Sequence, residues 1–198
     1  MTEIKSQSRN RAIPGARPSP RSNRRGAAAA ESGAMPTPVS EERDEIGRIV
    51  AATFETGHAH QNARSDKGWL VAVDGSDHSL RAVEQAARLA CELRESAGMD
   101  LVNVQPWLGK EAAETQLPQR GWAATARARA LLDAAGVPWR VHVVMGEAAP
   151  QIVRVAEAQG SRGIIIGAHG HTAALSLLLG SVAYKVVHTA TVSVLVAR

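Results

Sequence analysis

Trp69-Leu70-Val71-Ala72-Val73-Asp74-Gly75-Ser76-Asp77-His78-Ser79 opens with an unbroken apolar run and passes through a short polar turn into the start of a helix. A run of four or five residues with no polar alternation is what a parallel strand buried on both faces requires. Asp74 to Asp77 supplies turn residues and helix caps. The helix predicted over 78–95 then carries Leu80, Val83, Ala87 and Ala90 on one face.

The same alternation recurs downstream. Strands are predicted at Asp100 to Val104, Trp139 to Met145, Gly163 to Ile166 and Val192 to Val196. Between them, Pro118 opens a helix closed by Gly136 and Pro138, Pro150 starts one that ends at Gly160, and a short helix runs from Ser181 to His188. Five strands separated by four helical stretches argue an α/β fold: a single open five-stranded parallel sheet with helices on both faces, Rossmann-like. Leu70 to Val73 and Ile164 to Ile166 are apolar throughout and belong at the centre, whereas Trp139-Arg140-Val141-His142-Val143 alternates as an edge strand does. If the first and fourth strands are neighbours, the chain reverses its winding between them. Ligands bind beyond the carboxyl ends of the strands at such a switch point. The loops after Val73 and Ile166 are therefore the ones that matter.

The second of these reads Gly167-Ala168-His169-Gly170, followed nine residues later by Gly180-Ser181 at the start of a helix. Glycine lets backbone N–H groups approach a ligand without a Cβ in the way, and a helix N-terminus attracts anions. Together they make a phosphate cradle without a lysine. Neither a P-loop nor a dinucleotide Gly-x-Gly-x-x-Gly is present.

The spacing Gly-x2-Gly-x9-Gly-Ser resembles the ATP-binding signature of the universal stress protein family. Val71-Ala-Val-Asp74-Gly75-Ser76, Leu101-Val-Asn-Val104 and the terminal Val194-Leu-Val-Ala-Arg198 are similar to the family as well. The resemblance covers roughly residues 68–198. It implies strand order 3-2-1-4-5 and ATP, with or without Mg2+, as the ligand. Asp74 would meet the ribose or adenine side and the backbone at Val104 would line the adenine pocket. Gly167, Gly170, Gly180 and Ser181 would hold the phosphates. It also implies a homodimer through the strand Val192–Val196, although Ser193 stands where the family usually has proline. The function expected is a nucleotide-dependent stress-response module with a protein partner the sequence does not name. The alternative is an adenine-nucleotide hydrolase or transferase of slow turnover. No paired carboxylates or ready base stand near the cradle, so no catalytic residue is assigned and a slow ATPase is the most expected of it.

Three segments divide the chain: a disordered basic tail over 1–39, a short helix and linker over 40–66, and the domain over 67–198. Net charge is +4, but residues 1–40 hold seven basic side chains against Glu3 and Glu31. The rest of the chain is close to neutral, so the basicity is a property of the tail and a nucleic-acid surface on the domain is not expected. Met35 offers an alternative start. Ser40 as cap, Glu41, Glu42, Asp44 and Glu45 in the first turn, and Ile46, Ile49, Val50 and Phe54 in one stripe predict a helix over 40–56. No apolar run approaches the roughly 20 residues of a membrane-spanning helix. Cys91 stands alone, excluding an internal disulfide and fitting a reducing, cytoplasmic location, and its alanine-rich helix predicts burial. His58-x-His60 and His169-x-His171 lack a nearby carboxylate or thiolate and are not read as metal sites.

Overall fold

The computed structural model describes residues 35–56, 68–92, 98–170 and 179–198. Most of the basic tail, the linker with His58 and His60, and His171 lie outside them. Five strands pair in parallel: β3 (Trp69–Ala72), β4 (Met99–Gln105), β5 (Trp139–Met145), β6 (Gly163–Gly167) and β7 (Ser193–Ala197). They run β5-β4-β3-β6-β7, which is the expected 3-2-1-4-5 order. The expectation of a five-stranded, wholly parallel sheet fails at one side. An antiparallel hairpin, β1 (Ser40–Arg43) and β2 (Ile49–Glu55), adds to β5 and makes, among the described residues, a mixed sheet of seven strands.

The segment expected as a helix is thus two strands. Ile49, Ala52 and Phe54, each 1% exposed, sit in the same core as Leu101 and Val141. A strand buried on both faces shows no alternation, and a short apolar run of this kind fits helix and strand alike. Glu41 and Glu42 cap nothing; β1 is exposed along its length. Trp139–Met145 is correspondingly no edge strand, because β2 pairs with it from Arg140 to Val144. The folded unit begins at Met35 rather than after residue 39: Met35 packs against the core and the Val39 N–H donates to the Thr53 carbonyl at 2.8 Å.

Helices cover both faces. α1 (Asp77–Glu92), α2 (Lys110–Ala124) and α3 (Ala126–Ala134) lie on one, α4 (Ala148–Ala158) and α5 (Ser181–Thr189) on the other. Alternate residues of each strand supply the two cores, Val71 and Leu101 to the first, Leu70 and Val102 to the second. Pro118 does not open a helix but lies inside α2. Packing of Ala113, Leu117 and Gly121 against the sheet holds α2 despite the missing N–H. The break falls at buried Thr125, whose hydroxyl donates to the Gly121 carbonyl at 2.9 Å. Cys91 is exposed, contrary to its expected burial.

Candidate functional site between β3 and β6

β3 ends in a turn that organises itself. Asp74 Oδ1 accepts from the Ser76 N–H at 2.9 Å and from the Ser76 hydroxyl at 2.6 Å, while Gly75 takes the left-handed φ of +88° that the turn needs. Ser76 then caps α1, its Oγ accepting from the Ser79 N–H at 3.2 Å. The turn and cap roles of Asp74 and Ser76 are met within the chain, and the Asp74 carboxylate faces outward at the carboxyl end of β3.

Gly167 ends β6, and Gly180 caps α5 with no side-chain hydrogen bond. None of Gly167, Gly170 and Gly180 has a positive φ. Besides the ligand access argued from the sequence, the chain's own atoms leave no room for a Cβ at Gly167 and Gly170. A Cβ on Gly167 would meet the His78 carbonyl oxygen at 2.6 Å, and one on Gly170 would meet Asp74 Oδ2 at 2.8 Å. At Gly180 the neighbours are looser, with the Ala168 oxygen and His169 Cα both at 3.3 Å. The Gly180 N–H is not a phosphate donor in this conformation, because it donates to the Ala168 carbonyl at 2.8 Å. Donors remain at the first turn of α5, whose Ser181 and Val182 N–H groups precede the first intrahelical bond.

These pieces enclose a cleft of about 300 Å³, at the small end of the range for ligand pockets. Asp74, Val104, Gly167, Gly170, Gly180 and Ser181 all line it, although they come from four separate parts of the chain. Its apolar lining includes Val102 and Val104 of β4 and Ala148 and Ile152 of α4; its polar lining includes Asp74, His169 and Ser181 from the segments that follow β3 and β6. Sequence reasoning missed Ala148 and Ile152. The signal was available: the helix opened by Pro150 follows the strand that pairs with β4, and its amphipathic stripe had to cover that strand's carboxyl end. It missed Asn103 too, which is 2% exposed and donates from Nδ2 to the Val73 carbonyl at 2.8 Å, fixing the end of β3 against β4. Among the described residues no cluster of three or more His, Cys, Asp or Glu is arranged to hold a metal ion.

Away from the cleft, Asp100 is 7% exposed between Arg140 Nε at 2.7 Å and His142 Nε2 at 3.0 Å. Burial pushes its carboxyl up, but the hydrogen bonds from His142 and Arg140 and their charges outweigh that and hold it below its ordinary value. This network locks β4 to β5.

A family model described as the universal stress protein family matches residues 69–198. A universal stress protein of Methanocaldococcus jannaschii is 31% identical over 136 residues, which is 65% of this chain and 80% of the relative. The solved structure of a universal stress protein from Archaeoglobus fulgidus aligns with a TM-score of 0.56 at 24% identity, covering 67% of this chain and 99% of that one. A structure of an Archaeoglobus fulgidus universal stress protein in complex with dAMP aligns with a TM-score of 0.53 at 21% identity, over 67% and 98%. At such identities the structural likeness speaks for the fold alone.

Proposed function

The chain belongs to the universal stress protein family, and from that premise we propose that it binds ATP in the cleft between β3 and β6 and works as a nucleotide-dependent stress-response module. The observation that carries this reading is the convergence of Asp74, Val104, Gly167, Gly170, Gly180 and Ser181 on one cleft at the carboxyl ends of the strands. Its apolar lining on β4 and α4 suits a purine, and its polar lining, with the open first turn of α5, suits phosphate. The Archaeoglobus fulgidus relative in complex with dAMP supports an adenine nucleotide as the class of ligand. In this reading Val104, Ala148 and Ile152 flank the base, Asp74 meets the ribose, and Ser181 donates to a phosphate oxygen. Mg2+ would travel on the phosphates; Asp74 is the one carboxylate among the described lining residues.

Hydrolysis or group transfer has no observation in its favour. Asp74 Oδ1 is already engaged by two donors from Ser76, which leaves it a poor base for activating water.

Titration calorimetry of the full chain with ATP tests the proposal. Binding at millimolar affinity or better is expected, and its absence would sink the idea. Multiple-turnover release of ADP in the presence of magnesium would move the protein to the enzyme alternative.

A further inference from the structure

β3 and β4 run in parallel register, Leu70 with Asp100, Val71 with Leu101 and Ala72 with Val102. In a parallel ladder the N–H and C=O of one residue engage the same neighbouring strand, and alternate residues engage alternate neighbours. Val102 faces β3, because its carbonyl accepts from the Val73 N–H at 2.9 Å. Gln105 faces β5, on whose side its carbonyl accepts from the Gly146 N–H at 2.9 Å. Val104 therefore faces β3, and the next rung would carry its N–H to the Val73 carbonyl.

That rung is not made. The Val73 carbonyl accepts instead from Asn103 Nδ2 at 2.8 Å, and among the described residues the Val104 N–H has no acceptor. A carbonyl only accepts, so the amide nitrogen is the Asn103 atom that faces it. Asn103 Oδ1 in turn accepts from Gln105 Nε2 at 2.7 Å. Asn103 is 2% exposed, and burying an amide costs free energy that its hydrogen bonds must offset. The backbone alone could have satisfied Val73. A buried side-chain amide stands where a main-chain donor was ready, and its effect is to leave that donor to the cleft, which Val73 and Val104 both line.

We propose that Asn103 is a positioning residue for base recognition: by taking the Val73 carbonyl it ends the β3–β4 ladder one rung early and keeps the Val104 N–H open to a purine. This rests on the nucleotide reading of the cleft and adds the origin of its base selectivity. The Val104 C=O lies on the same strand edge as its N–H, so a base meets a donor beside an acceptor. Adenine is complementary, with ring N1 as acceptor beside the N6 amino donor. Guanine carries the reverse pair, N1–H beside O6, and would leave both Val104 groups unpaired at a partly buried position. Asn103 does not itself line the cleft; it acts through Val73 and Val104.

The test is titration calorimetry of the full chain and of Asn103→Leu with ATP and GTP at fixed magnesium. The phosphates are common to the two ligands and cancel in the ratio. The wild type is expected to prefer ATP by about tenfold or more, the scale of one matched donor–acceptor pair against a mismatched one. In Asn103→Leu the Val73 carbonyl is released to the Val104 N–H, and the preference should shrink to within about threefold. A merely structural role for Asn103 would weaken both nucleotides alike and leave the ratio intact. Hydrogen exchange of the Val104 amide in the wild type, followed by NMR, does not depend on the variant folding. Without ligand this amide should exchange at least about tenfold faster than that of Val102 inside the ladder, and ATP should slow it where GTP does not. A preference kept in Asn103→Leu, equal affinity of the wild type for ATP and GTP, or a Val104 amide as protected as Val102 in the free protein would overturn the role of Asn103. Failure of both nucleotides to bind, with the Val104 amide still in fast exchange, would overturn the nucleotide reading itself.

Discussion

A methyl group added at Gly167 would lie 2.6 Å from the His78 carbonyl oxygen and 3.0 Å from the Ser79 nitrogen, both backbone atoms of the first turn of α1. At Gly170 the obstruction is the tip of the exposed Asp74 side chain, 2.8 Å away. Two glycines of one motif therefore fail differently. Gly167→Ala must shift a helix against the central strand and is expected to lose about 1–3 kcal/mol of stability in urea denaturation, as overpacking does. Gly170→Ala can push a carboxylate aside, so its melting temperature should barely move while ATP affinity falls severalfold. Equal loss of stability in both would contradict this division. The glycine spacing was legible in the sequence, but its reason was not. Spacing shows that a Cβ is unwelcome, and only the packing shows what it would strike. Asp100 makes the same point with charge. Its carboxyl is held below the ordinary 3.8, so it stabilises the fold at any pH above 3.8, and that stability is lost as pH falls through the lower folded value. Acid unfolding of Asp100→Asn should accordingly show a weaker pH dependence below about pH 4 than the wild type. Nothing in Met99-Asp-Leu announces a buried carboxylate; the pairing of Asp100 with Arg140 across β4 and β5 does.

The hairpin is the element that sequence patterning read least well. Ile46, Ile49, Val50 and Phe54 fit a helical stripe, yet Ile49, Ala51, Ala52 and Phe54 are all buried in a strand with cores on both sides. What settles the conformation is the vacant edge of β5, a long-range partner that no local window contains. By contrast β3, β4 and β6 were legible because continuous apolar runs between turn residues have few other uses. Phe54 shows how firmly the hairpin belongs to the domain: it is 1% exposed, with its ring centre 5.1 Å from that of Trp122 on α2. Phe54→Ala should cost about 3–5 kcal/mol, the range for large aromatic deletions in a core. If the hairpin were a loosely attached addition, chemical denaturation of that variant would show almost no change. Its turn is pinned too, with Arg48 donating to the Leu108 carbonyl at 3.2 Å and Lys110 Nζ to the Ile46 carbonyl at 2.7 Å. The first contact holds the loop that follows β4, whose Val104 lines the cleft, and the second holds the start of α2.

Across the whole sheet, the two edges are built for opposite purposes. β1 presents Ser40, Glu41, Glu42 and Arg43, exposed and charged, which is how natural edge strands resist pairing with another chain. The hairpin also removes β5 as an edge. β7 is the other boundary, and it carries Val194, Leu195 and Val196, all only partly buried. Tyr184 and Val187 on the neighbouring α5 are 54% and 41% exposed. Apolar strand residues at an open edge are poorly protected in a monomer. A second copy pairing along β7 would satisfy its backbone groups and bury those side chains, and no residue of Ser193–Ala197 itself is charged. The resemblance to the family implies a homodimer through this strand, with Ser193 standing where proline is usual. A lysine on the strand should act as natural edge lysines do. Val194→Lys, at a partly buried position, is expected to leave the thermal transition in place while halving the mass seen by sedimentation of the full chain. A wild-type protein that sediments as a monomer at tens of micromolar would refute pairing through β7, whatever the variant does.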